Sequence, residues 1–164
     1  MITKDQFIQS LNFELTIMQH LAEKVTPAML DYRPTPGQRS TLELMRYLGH
    51  VFETAITLAH SGDMSAFRDV AMAAEAAVTA ENFSEKMEAQ KTFITTTIGA
   101  LSDAQLEESK TIFNTTAPLS MHLLGMLKWA AAYKTQLFLY IKANGVSDIG
   151  TSNLWGGVDM PPRE

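Results

Sequence analysis

The chain has 164 residues, a hydrophobic fraction of 46% and a net charge of −5, enough apolar material for one ordinary domain with a real core. It contains no cysteine, so disulfides, thiolate zinc sites and thiol catalysis by this chain are excluded. Its 13 Lys and Arg residues are scattered among 18 Asp and Glu, without the basic face of a nucleic-acid binder, and no apolar run approaches the roughly 20 residues of a membrane span.

The charged fraction of 19% lies below the usual ~25%. This points to a surface covered in part by a partner or by neutral residues. The segment Met1-Ile2-Thr3-Lys4-Asp5-Gln6 carries no signal-peptide pattern, and a cytoplasmic protein is expected. The ten methionines are read as adaptable core packing.

In chain order, Thr3-Lys4-Asp5-Gln6 forms a capping box that opens a first helix. Phe7, Leu11, Met18, Ala22 and Val25 recur every three or four residues along it. Thr26-Pro27 stops that helix, and a proline-rich loop follows from Leu30 to Arg39. Ser40-Thr41-Leu42-Glu43 is a second capping box, and Leu44, Leu48, Val51, Ala55 and Leu58 form the stripe of helix two, which ends near Ser61-Gly62. Residues 63–83 read as a loosely packed crossover, with Asp69 to Ala80 a candidate short helix. Ser84 is expected to cap helix three, with Glu85 and Glu88 favoured by its dipole and Met87, Ile94, Ile98 and Leu101 facing inward. Ser102 to Leu106 is a short turn, and Thr111-Ile112-Phe113 is extended. Helix four begins at Pro118 or Ser120 and ends at Asn144-Gly145, a helix-stop pair. Residues 146–164 read as an irregular tail in which Leu154-Trp155 docks on the body. Four amphipathic helices pack most economically as an antiparallel four-helix bundle, here one all-α domain over residues 1–164.

At 100° per residue, His122, Met126, Trp129, Tyr133, Gln136 and Tyr140 share one face of helix four. Two readings stand for this polar stripe. The aromatics pack with their polar tips reaching partners or solvent, or the face lines a ligand-sized pocket. Tyr47 sits at the edge of helix two's buried stripe, and His50 one turn on is rotated further outward, a satisfied or exposed residue or else a ligand. Glu14 falls among Phe7, Leu11 and Met18. It needs a partner such as Tyr or His from a facing helix, or it lies at the bundle end in water. His20, opposite its helix's apolar stripe, is expected to be solvated. His60 sits at a helix C-terminus, where the dipole suffices to explain it. There is no phosphate loop, H-E-x-x-H, nucleophile elbow or paired E-x-x-H motif.

Three features together resemble the DinB/YfiT-like superfamily. The loop Asp31-Tyr32-Arg33-Pro34-Thr35-Pro36-Gly37-Gln38-Arg39 leads into Ser40-Thr41-Leu42-Glu43-Leu44, similar to that family's Ser-x-x-Glu-Leu helix start. The last helix reads Trp129-Ala130-Ala131-Ala132-Tyr133-Lys134-Thr135-Gln136-Leu137, then Tyr140-Ile141, where the family commonly has His-x-x-x-His-Arg-Gly-Gln-Leu and Tyr-Leu. Length, helix order and the long crossover also agree, so the resemblance spans nearly the whole chain.

The resemblance implies a four-helix bundle, often dimeric, and in many members a divalent metal held by three histidines. Some such members are thiol-dependent transferases or hydrolases. This sequence departs at all three ligand positions, which fall on Tyr47, Trp129 and Tyr133. Indole nitrogen is a donor only, and a neutral phenol is a poor ligand for zinc or nickel, so no metal cofactor is expected. A relocated site built from His50, His122 and Glu14 is the alternative, a recognised ligand set. Three functions therefore compete: a bundle without the family metal whose aromatic pocket binds a small molecule, or which simply retains the fold as a dimeric stress-associated protein; a metalloenzyme with rearranged ligands; and a purely structural or interaction protein, such as a homodimer, with no pocket.

Overall fold

The computed structural model describes residues 2–63 and 67–160. Helix α1 spans Lys4–Ala22 beneath the expected capping box: Gln6 N–H donates to Thr3 Oγ1 and Thr3 N–H to Gln6 Oε1. A 3₁₀ turn at Pro27–Met29 leads into the proline-rich loop. Ser40 and Glu43 cap α2 (Thr41–Leu48) reciprocally, and α3 follows over Val51–Ser61. Beyond them lie α4 (Phe67–Ala76), α5 (Phe83–Gly99) and the single turn α6 (Asp103–Leu106). An antiparallel hairpin, β1 (Ser109–Ile112) and β2 (Thr115–Pro118), precedes the long α7 (Leu119–Ala143), and α8 (Thr151–Gly156) closes the described chain.

Helix α1 packs on α5, α7 and α8, while α3 packs on α7 and α5 and α2 packs on α7. Their apolar faces meet in one contiguous core. The stripes expected on helices two and three are buried as read: Leu44, Leu48, Val51, Ala55 and Leu58, then Met87, Ile94, Ile98 and Leu101. The chain is thus mostly helical with one small hairpin, an all-α fold.

Helix two is not continuous. It breaks at Gly49-His50, where His50 leaves helical geometry at φ −140°. Two contacts from elsewhere in the chain account for the break. The buried Gln90 carboxamide of α5 inserts into the ladder, donating to the Leu48 carbonyl at 2.8 Å and accepting from the Phe52 N–H at 3.0 Å. These are the two groups that would otherwise bond each other, and such insertion is a known cause of sharp kinks. Val78 also packs against Gly49 so closely that a Cβ there would lie 2.7 Å from Val78 Cγ1.

The crossover is more ordered than expected. Helix α4 covers part of it, and Val78 after it is buried, although α4 itself has no buried residue, in keeping with a small apolar face. Residues 64–66 of that stretch, and 161–164 of the tail, lie outside the described residues. The N-cap of α5 is Asn82, not Ser84, and its side chain turns back to the Thr79 N–H and the Ala77 carbonyl. The extended segment at Thr111 proves to be half a hairpin. Its turn is Phe113-Asn114, both left-handed at φ 48° and 64°, the geometry of tight hairpins usually supplied by Asn-Gly.

The tail is not irregular. After Ile149, which is buried, α8 lies on α1 and α7. Asn153, 2% exposed, receives the Gly150 N–H and reaches His20 Nε2 at 3.0 Å and Asp159 at 2.8 Å. His20 is therefore not solvated but tucked beneath α8. Trp155 docks as expected in one respect: its ring lies 4.7 Å from the Lys134 ammonium, while 62% of the residue stays exposed.

Candidate functional site

The loop before α2 is rigid for reasons written in its residues. Pro34 and Pro36 restrict φ, Thr41 N–H and Leu42 N–H donate back to the Tyr32 and Leu30 carbonyls, and Arg33 pairs with Glu43 at 2.9 Å. That pair, with the Ser40 N–H, holds the Glu43 carboxyl below its ordinary range. The Tyr140 hydroxyl of α7 donates to the Arg39 carbonyl at 3.0 Å and receives the Gln136 amide at 2.6 Å. Loop and helix thus flank a shallow, open cleft of about 610 Å³, lined by Arg33, Gly37, Gln38, Arg39, Glu43, Tyr133 and Gln136.

Behind this cleft lies an aromatic cluster. The Tyr133 and Tyr47 rings meet at 5.0 Å between centroids, and the Arg39 guanidinium sits 4.1 Å over the Tyr47 ring. Burial, and then the neighbouring Tyr133 hydroxyl, push the Tyr47 phenol well above its ordinary value, so it remains a neutral hydroxyl.

His50 stands 6.1 Å from Tyr47, ring to ring, and is 6% exposed. The expectation that it points outward is corrected here. It assumed one continuous helix, and the Gly49-His50 break turns the imidazole inward. Its Nδ1 lies 3.3 Å from Thr54 Oγ1, and its Nε2 has no hydrogen-bond partner among the described residues, with the Glu75 carboxylate of α4 at 4.0 Å. Burial, then the charge of Arg39, lower its pKa.

The inward face of α7 is displaced from the expected one by a single residue. Met126 and Tyr140 are buried as read, but the helix also buries Leu119, Phe138 and the row Leu123, Ala130, Lys134, Leu137 and Ile141, which lies one position after His122, Trp129, Tyr133, Gln136 and Tyr140. Trp129 is 39% exposed and makes no ring contact with Tyr47 or Tyr133 among the described residues. It does not share the core. Tyr133 and Gln136 are half-buried at the cleft.

Glu14 finds neither Tyr nor His. Its carboxylate lies 2.7 Å from the ammonium of Lys134, which is 1% exposed. The contact is electrostatic, without good hydrogen-bond alignment of either atom. His122 is half-buried, its Nε2 3.0 Å from the Lys110 carbonyl of the hairpin. The relocated metal set of His50, His122 and Glu14 is therefore not assembled: each is engaged separately, and no three metal-binding side chains converge among the described residues. Tyr47, Tyr133 and Gln136 do come together beside the loop.

The sequence reading passed over Arg39, Gln90 and Lys134. Lys134 had a signal, since it falls in register with Met126, Ala130, Leu137 and Ile141 at three- and four-residue steps. Gln90 had none, because Leu48 and Phe52 are remote in sequence, and Arg39 had none, because a loop residue shares no helical register with Tyr47.

A mostly helical chain with this order of elements defines an all-α fold, and solved structures identify which one. The chain is similar to a DinB-like protein (YjoA) from Bacillus subtilis, with a TM-score of 0.72 at 18% identity over 88% of this chain and 96% of the other. It is similar also to a DinB-like protein from Bacillus cereus, with a TM-score of 0.69 at 15% identity over 90% and 96%. The protein thus has the DinB-like fold. No protein-family model and no curated protein matches its sequence.

Proposed function

We propose that this protein binds a small molecule in the cleft between the 33–39 loop and α7, on an antiparallel four-helix bundle formed by α1, the α2–α3 pair, α5 and α7. The observation that carries this reading is the cleft itself: about 610 Å³ beside a braced loop, with polar groups converging next to an aromatic cluster. Ligand sites typically combine such a concavity with a few placed polar groups. The test is a fragment screen by NMR on the full chain. Bound fragments should shift the Gly37, Tyr133 and Gln136 resonances, and Tyr133→Ala should weaken them at least tenfold. Shifts confined to other surfaces would defeat the reading.

The residues at the family's ligand positions do not fit a divalent ion. Tyr47 holds its proton, a guanidinium lies over its ring, and Trp129 offers no lone pair. The rearranged metalloenzyme has no assembled ligand set behind it among the described residues.

The proposal includes a homodimer. Exposed apolar side chains such as Phe13 on α1, and Met121 and Leu124 one turn apart on α7, support self-association through a two-fold contact. Sedimentation at micromolar concentration should give twice the chain mass, and a monomer would refute it.

A further inference from the structure

We infer that the ligand of this cleft is a small organic carboxylate and that Arg39 is the residue that recognises it. This inference rests on the cleft being a ligand site, as proposed above. Three cleft residues carry charge: Arg33, Arg39 and Glu43. Arg33 and Glu43 neutralise each other at 2.9 Å. Arg39 has no ion pair within 4 Å among the described residues, and its guanidinium is instead laid on Tyr47 at 4.1 Å. The cleft therefore holds one uncompensated positive charge on a chain whose net charge is −5.

The geometry of Arg39 matters as much as its charge. The contact with the Tyr47 ring is cation–π and spends none of the guanidinium N–H groups on a hydrogen bond. Those donors form the fork that matches a carboxylate with two parallel hydrogen bonds. The platform is prepared in advance. Tyr47 is braced by Tyr133, and the Arg39 carbonyl is tied to the Tyr140 hydroxyl. These contacts fix the ring and the loop backbone beneath the Arg39 side chain, which is itself exposed to an incoming ligand.

The charge balance also selects among anions. One free guanidinium matches a monoanion. A phosphate dianion would retain a surplus charge facing the Glu43 carboxylate. Beyond the anionic group, Tyr133 offers an aromatic surface and Gln136 an amide, so the ligand is an organic acid with an apolar portion rather than a bare ion.

The experiment is an NMR titration of the full chain with benzoate and hexanoate, with the matched neutral amides benzamide and hexanamide, and with inorganic phosphate. The acids should bind at least tenfold more tightly than their amides, perturbing Arg39, Tyr133 and Gln136, and the preference should shrink with added salt because this charge is solvent-accessible. Arg39→Gln should erase the acid preference, and Arg39→Lys should retain part of it without the fork. Amides binding as well as acids at this cleft would overturn the carboxylate assignment and leave the ligand site standing. Phosphate binding more tightly than either acid would overturn it too. If no compound perturbs the cleft, both this inference and the reading beneath it fail.

Discussion

A lysine ammonium inside an apolar core loses several kcal/mol of hydration unless an opposite charge offsets it. Lys134 is in that position, 1% exposed, with Glu14 at 2.7 Å and the Trp155 ring above. The two ends are unequal, because Glu14 keeps 15% of its side chain in contact with water. Glu14→Gln strands a fully buried cation, whereas Lys134→Met leaves a carboxylate that water can reach. Urea unfolding should show a loss of roughly 3–5 kcal/mol for Glu14→Gln and less for Lys134→Met, with the Glu14→Leu/Lys134→Met pair recovering most of it. Equal single losses with no recovery would mean that the pair is not the coupled unit described. His50 supplies a second test at this scale. Burial and Arg39 lower its pKa in the fold, so the unfolded chain takes up a proton first as pH falls. Stability should be full above the unfolded value of about 6.5 and should decline as pH drops from there through the folded value. The slope of the urea midpoint over that window should flatten in His50→Gln, despite Glu75 at 4.0 Å.

The break between α2 and α3 is the feature of the elements on which the site depends. It exists because Gln90 replaces a helical hydrogen bond with two of its own. Gln90→Leu removes both while leaving Leu48 C=O and Phe52 N–H buried, at about 1–3 kcal/mol for each stranded group. The variant should lose at least ~2 kcal/mol in urea, and His50 should show altered NMR shifts as packing around the two stranded groups changes. Gly49 tests the other contact. Gly49→Ala should destabilise by roughly 1–3 kcal/mol through overpacking on Val78. With Val78→Ala in place, the same change should become neutral or favourable, since alanine adopts φ −66° and ψ −6° without strain and lowers the entropy of the unfolded chain, by ~0.4–1 kcal/mol. A cost unaffected by Val78→Ala would refute the close approach.

Over the whole molecule, the C-terminal segment binds the ends of the fold together. It covers Lys134 with Trp155, engages His20 through Asn153, and buries Ile149. A chain ending at Gly145 should melt at a lower temperature, with a loss of at least ~2 kcal/mol from Ile149 alone, and its Lys134 should become reactive towards acylating reagents. An unchanged melting temperature would show that the segment adds nothing to the fold.

Much of this architecture was legible because it is local. Capping boxes at Thr3 and Ser40, the apolar spacing of Leu44 to Leu58 and Met87 to Leu101, and the stop at Asn144-Gly145 depend on neighbours within one or two turns, and helical periodicity reports them directly. The Phe113-Asn114 turn escaped because it lacks the glycine that usually marks left-handed geometry. The site depended on contacts that no local pattern contains. Gln90 breaks a helix 42 residues away, and that break turns His50 inward. A one-residue rotation of α7 seats Lys134 in the core opposite Glu14, moves Trp129 out, and leaves Tyr133 at the cleft. Aromatic residues gave the wrong face of α7 its apparent weight, because a large ring can pack from a helix flank while a buried lysine is tolerated only where another helix brings the matching charge. The sequence by itself determined the principal helices and their class, but neither the break in helix two nor the short helix of the tail. Which polar groups meet inside was decided by tertiary packing, because a charge or hydrogen bond is satisfied by a partner in space, whatever its distance along the chain.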